Sequence, residues 1–105
     1  VVIGVHGRKN GEDDASTWVG GLHEPLRDAI CEALLVGGFH ARTVGDGHRL
    51  SGRDPGNICN RGRLGAGVQL ELPRALRIGF AKDAPKLVAF AAAVRKALAT
   101  QMDGA

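Results

Sequence analysis

The chain has 105 residues, the length of one small domain and too short for two independent cores. An apolar fraction of 44% and a charged fraction of 24% are ordinary globular values and exclude wholesale disorder, while no apolar run reaches the ~18 residues of a membrane-spanning helix. The net charge of +3 hides an uneven distribution: residues 7–32 sum to −3, whereas residues 42–77 carry seven arginines, no lysine and a net +4.

The chain opens on Val1-Val2-Ile3-Gly4-Val5, which reads as a buried strand with no leader before it, as if excised from something longer. A polar, turn-rich stretch follows, and Thr17-Trp18-Val19 reads as a short strand entering a turn at Gly20-Gly21. Leu22, Leu26, Ile30 and Leu34 recur at the spacing of one helix face, with Asp28 and Glu32 on the wet side and Gly37-Gly38 as the stop. Residues 39–44 alternate as a third strand. Residues 45–66 are rich in glycine and predict a long loop with one helical turn near residues 57–60; loops of this length are commonly functional. Val68-Gln69-Leu70-Glu71-Leu72 alternates as a strand, with Glu71 on the face opposite Leu70 and Leu72. The chain then turns, and Asp83 caps a final helix with Pro85 in its first turn and a buried stripe of Leu87, Ala91, Val94 and Leu98. Strands interspersed with helices predict an α/β fold: a mixed or mostly parallel sheet with flanking helices.

Sixteen glycines are about twice the ordinary ~7% usage and signal tight turns or close backbone approach. Cys31 and Cys59 make one disulfide at most; without a Cys-x-x-Cys they are expected as free thiols in a reducing compartment. No segment has the pattern of a signal peptide, so nothing argues for export and a cytoplasmic location is expected.

Of the four histidines, His23 fails the zincin spacing because Arg27 stands where the second histidine would be, and His40 and His48 read as ordinary strand and loop residues. His6 differs, because it follows an apolar strand, and in open α/β sheets ligands bind at strand carboxyl ends. Glu71 is the other outlier. An ionised carboxylate inside an apolar strand needs a cationic partner, either a structural arginine or the surroundings of a general base. Arginine without lysine suits bidentate grip on carboxylates or phosphates.

Three blocks carry a resemblance: Gly20-Gly21-Leu22, residues 50–62 (LSGRDPGNICNRG) and residues 67–77 (GVQLELPRALR). Together they resemble the carboxy-terminal part of the poly-γ-glutamate hydrolases, zinc-dependent enzymes of bacteria and their phages with a carboxypeptidase-like αβα fold. The resemblance implies that residues 1–105 are a single, incomplete domain of that kind. It implies hydrolysis of γ-glutamyl amide bonds, with His6 as a zinc ligand and Glu71 as the general base acting on zinc-bound water. Asn57, Asn60 and Arg61, with Arg53 and Arg77, are implied as holders of the substrate carboxylates. The family's other two zinc ligands are expected upstream of this chain.

The competing expectation is a non-catalytic polyanion-binding module or a remnant of a zinc amidohydrolase. One Trp, three Phe and no Tyr argue against single-stranded nucleic acid as partner, and the arginines cluster in a loop rather than on a helix that could enter duplex DNA. Poly-γ-glutamate or a similar polycarboxylate is the expected partner, with no membrane involved; the oligomeric state is not legible.

Overall fold

The computed structural model describes residues 1–103. Four strands form one mixed sheet: β1 (Ile3–Arg8), β2 (Thr17–Gly20), β3 (Ala41–Thr43) and β4 (Val68–Pro73), in the order β1-β4-β2-β3. β4 runs parallel to β1 and antiparallel to β2, and β2 runs parallel to β3. Three helices accompany the sheet: α1 (Glu24–Val36), α2 (Arg74–Lys82) and α3 (Ala84–Asp103). The expected α/β architecture with a mixed sheet and flanking helices is therefore what the chain adopts.

The core lies between one sheet face and the helices. Val19, Val68, Leu70 and Leu72 meet Leu26, Ile30 and Leu34 of α1, Leu76 and Phe80 of α2, and Phe90 and Ala97 of α3. Phe90 sits edge-on to both Phe39 and Phe80, each with ring centroids 5.2 Å apart. Leu26, Ile30 and Leu34 thus do what their spacing predicts, while Leu22, expected on the same face, lies before the helix starts. His23 caps that helix, its Nδ1 accepting from Leu26 N at 3.2 Å, so this histidine has a structural use at the helix start. Asp83 caps α3 as expected, its carboxylate accepting from Lys86 N at 3.1 Å.

Three expectations need correction. The first strand is not buried: among the described residues β1 pairs with β4 alone, at the edge of the sheet, and Val5 is 64% exposed. An apolar run of four or five residues has the same composition whether it is flanked on one side or two. The turn expected after residue 73 is a helix, α2; Pro73 precedes it without any side-chain cap, and Gly79 interrupts its pattern, so its start signals are weak. The buried stripe of α3 is centred on Phe90 and Ala97, with Val94 and Leu98 partly covered, while Leu87 and Ala91 face outward. Alanine-rich helices give a shallow hydrophobic contrast, and here the aromatic ring decides the facing.

The opposite sheet face is covered by the loop of residues 44–67 rather than by a helix. Gly20 lets that loop approach, because a Cβ there would collide with the Ser51 carbonyl. Its 3-10 turn, Ile58–Asn60, is capped by Asn57, whose Oδ1 accepts from Cys59 N at 3.1 Å. Asn60, 3% exposed, closes the loop with four bonds: its Oδ1 accepts from Leu22 N at 3.2 Å and Gly67 N at 3.0 Å, and its Nδ2 donates to Gly52 O at 2.6 Å and Asp54 O at 2.9 Å. Arg53 ties the same loop to the start of α1, reaching Asp46 at 2.6 Å and Glu24 at 3.1 Å. Cys31 and Cys59 are free and buried, as expected.

Asn60→Ala strips partners from two buried donors and two acceptors, at a cost on the order of 3 kcal/mol, and should lower the melting temperature by more than about 10 °C. Asn60→Asp, which cannot donate to Gly52 and Asp54, should also destabilise; a melting temperature within two or three degrees of wild type for both variants would show that this side chain is not the clamp.

Candidate functional site

Register places four chemically distinct side chains in a single row across the sheet. His6 of β1 pairs with Glu71 of β4, Glu71 with Trp18 of β2, and Trp18 with Arg42 of β3. Directly paired residues share a face, and this face is the one away from the helices. The row runs imidazole, carboxylate, indole, guanidinium over three strand spacings, about 14 Å. It forms the floor of a cleft of about 690 Å³, whose walls include Arg8, Lys9, Asp13, Arg49 and Leu50.

Glu71 is 5% exposed. Gln69, two residues earlier on the same face, donates from Nε2 to Glu71 Oε2 at 3.2 Å, and its Oε1 accepts from Asn57 Nδ2 at 2.9 Å. The carboxylate is thereby oriented by a chain of amides anchored in the loop. Burial pushes its pKa above the ordinary glutamate value, and His6, Arg8 and Arg49 work against that rise. No salt bridge reaches it among the described residues, so it is surrounded by cations without being locked to one.

Arg8, on the same strand face as His6, stacks on Trp18 with its Cζ 3.7 Å from the ring centroid. Its Nη atoms donate to the carbonyls of Lys9 at 3.0 Å, Asn10 at 3.1 Å and Ser16 at 2.6 Å, which folds the polar stretch after β1 back over the cleft wall. Asp13 joins the cluster from that stretch, accepting from Trp18 Nε1 at 2.9 Å and from Ser16 N at 2.9 Å. Burial raises its pKa, but these hydrogen bonds and one from Ala15 outweigh it and hold the group at about 2.

The residues expected from the sequence divide between cleft and scaffold. His6 and Glu71 come together in the row; His6 lies within β1, two residues before its end, rather than just after it. Asn57 reaches Glu71 only through Gln69, and all four of Asn60's bonds are to the chain itself. Arg77 lies under Gly7 and donates to the carbonyls of Arg8 at 3.1 Å and Leu72 at 3.3 Å. Arg53 is held by its two carboxylates, and Arg61 is exposed at the end of the 3-10 turn; none of these five residues lines the cleft. Arg8, Trp18, Arg42 and Arg49 line the cleft and Gln69 lies buried beneath it, and the sequence singled out none of the five as site residues. The alternation with Glu71 was the signal for Gln69, and membership of the lysine-free arginine cluster that for Arg42 and Arg49.

The donor set does not fit a zinc centre by itself. A catalytic zinc takes three protein ligands and an open position, and among the described residues no three His, Cys, Asp or Glu side chains are gathered where they could hold a metal ion. His6 and Glu71 are the site's imidazole and its buried carboxylate.

Comparison with known proteins agrees with this architecture. The chain is 34% identical over 82 residues to the UPF0714 protein YmaC of Bacillus subtilis (strain 168), covering 78% of this chain and 34% of that protein. It superposes on a bacteriophage poly-gamma-glutamate hydrolase with a TM-score of 0.86 and 32% identity, over 98% of this chain and 54% of that one. A zinc-free apo structure of YNDL matches with a TM-score of 0.69 and 30% identity, over 75% of this chain and 38% of that one. The chain thus spans between about a third and about half of the length of these relatives. Residues 1–89 match the poly-gamma-glutamate hydrolase family, and the chain belongs to that family.

Proposed function

We propose that this chain is the base-bearing part of a hydrolase that cleaves γ-glutamyl amide bonds in poly-γ-glutamate. The observation that carries the reading is a buried glutamate, Glu71, set beside His6 at the floor of an arginine-walled cleft, in a chain of this family. Hydrolysis of an amide forms a C–O bond to water and breaks the C–N bond, so one proton must leave the water and one must reach the departing amine. In this reading Glu71 takes the first and delivers the second. Gln69 fixes the orientation of its carboxylate. The cations around it favour the ionised form that a base needs, while burial keeps that form basic.

The activity is proposed to depend on zinc, with His6 as the ligand that this chain contributes and the other ligands supplied from outside it. A relative described in a zinc-free state supports the choice of metal. The absence of a three-ligand group among the described residues favours a second reading, a carboxylate-binding module without catalysis. Zinc retention separates the two. After dialysis, the 105-residue chain alone should keep well under one zinc per molecule; stoichiometric zinc would mean that the ligand set is misassigned and that His40 or His48 takes part.

Glu71→Gln tests the base directly. Combined with a segment that completes the ligand set, this variant should keep its melting temperature and substrate affinity while turnover of poly-γ-glutamate falls by roughly 10²-fold or more. Glutamine retains the shape and the bond from Gln69 but cannot accept a proton. A glutamate serving only as a buried counter-ion would give the reverse: about 3 kcal/mol of lost stability with turnover per folded molecule little changed.

A further inference from the structure

Arg42 closes the row at the end opposite His6, two strand spacings or about 10 Å from Glu71. Its nearest carboxylate is Asp13 at 3.7 Å, and Asp13 also faces Arg8 at 3.8 Å, so one carboxylate stands before two guanidiniums. Arg8 is further engaged by three carbonyls and by the Trp18 ring, which leaves it no freedom to turn toward a ligand. The Arg42 side chain is 56% exposed, its Cζ 5.0 Å from the Trp18 centroid. Arg49, on the loop wall of the same cleft, is exposed and makes neither an ion pair nor a side-chain hydrogen bond among the described residues. The cleft therefore presents two exposed guanidiniums: Arg42, which shares one carboxylate with Arg8, and Arg49, which has no ion-pair partner among the described residues.

We infer that Arg42 and Arg49 are the cations of the cleft that hold the carboxylates of its substrate, Arg42 at the end of the row beyond Trp18 and Arg49 on the loop wall. The inference rests on the proposed function and names the residues that select its substrate. A γ-linked polymer of glutamate carries one free α-carboxylate per unit. A carboxylate held at Arg42 lies two strand spacings from Glu71, which keeps the like charge at a distance, and Arg49 offers a second fork on the same cleft for the carboxylate of another unit. Arg8 is a positioning residue, since it acts by holding Trp18 and Asp13 in place. Asp13 in turn keeps Arg42 near the ring and, ionised far below neutral pH, leaves the pair of guanidiniums only partly neutralised.

The test is titration calorimetry of the 105-residue chain with penta-γ-glutamate and with the same oligomer converted to α-amides. Arg42→Gln and Arg49→Gln should each weaken penta-γ-glutamate binding on the order of tenfold. Both positions are exposed, so the melting temperature should hold. Arg95→Gln, the same charge change on α3 outside the cleft, should bind as wild type. The α-amide oligomer should bind wild type weakly and lose nothing further in the Arg42 and Arg49 variants. Wild-type affinity for penta-γ-glutamate in both cleft variants overturns this assignment while leaving the proposed function standing. Equal weakening in Arg95→Gln also overturns it, by showing that only net charge is felt. No saturable binding of penta-γ-glutamate to the wild-type chain overturns the assignment together with the function it rests on.

Discussion

The burial of β4 on both faces is the constraint from which the rest of the structure follows. One face, Val68, Leu70 and Leu72, is satisfied by apolar contact with the helices. The other carries Gln69 and Glu71, and neither amide nor carboxylate can be left in a dry environment without partners. A helix laid on that face would offer few free polar groups, because its backbone bonds are internal. A loop offers many. The segment covering β4 is accordingly irregular, held by Asn60 through four bonds to backbone and linked to Gln69 through Asn57 and the Leu50 carbonyl. The length of that loop, which looks extravagant in a small domain, is what a polar sheet face demands.

The same constraint builds the site. Because β4 lies between β1 and β2, whatever stands at position 71 is flanked on both sides by residues distant in sequence, and the register selects His6 and Trp18. The exposed imidazole and the indole leave Glu71 buried but not capped, with a cleft above it. Arg8 then matters twice, as a cation that opposes the rise in Glu71's pKa and as the stack that fixes Trp18. The fold thus orients these groups before any ligand arrives.

How much of this was legible in the sequence depended on how local each signal was. The leucines of α1, the alternation of β4 and the capping Asp83 are local patterns, and each stands where its spacing put it. Glu71 was visible because a charge within an apolar alternation breaks the pattern. The edge position of β1 was not visible, since an apolar run carries no record of how many neighbours it will have. The start of α2 lacked a capping side chain to announce it. Trp18 and Arg42 became site residues only through pairing with β4 and with each other, a relation that no spacing along one chain contains.

The seven arginines between residues 42 and 77 show the same limit most sharply. Composition treats them alike, yet Arg53 spends its charge on Asp46 and Glu24, and Arg77 on the carbonyls at the end of β1 and β4. These two stiffen the loop and the strand ends around the cleft. Arg42 and Arg49 differ from them only in what the register and the loop path place nearby, which for Arg42 is one shared carboxylate and for Arg49 none among the described residues. A guanidinium already saturated by the fold cannot also grip a ligand without giving up those bonds, which sets Arg53 and Arg77 apart as scaffold. Arg61, Arg63 and Arg74 are exposed and, like Arg49, make no ion pair among the described residues; what separates Arg42 and Arg49 from these three is position, since of the seven only they line the cleft.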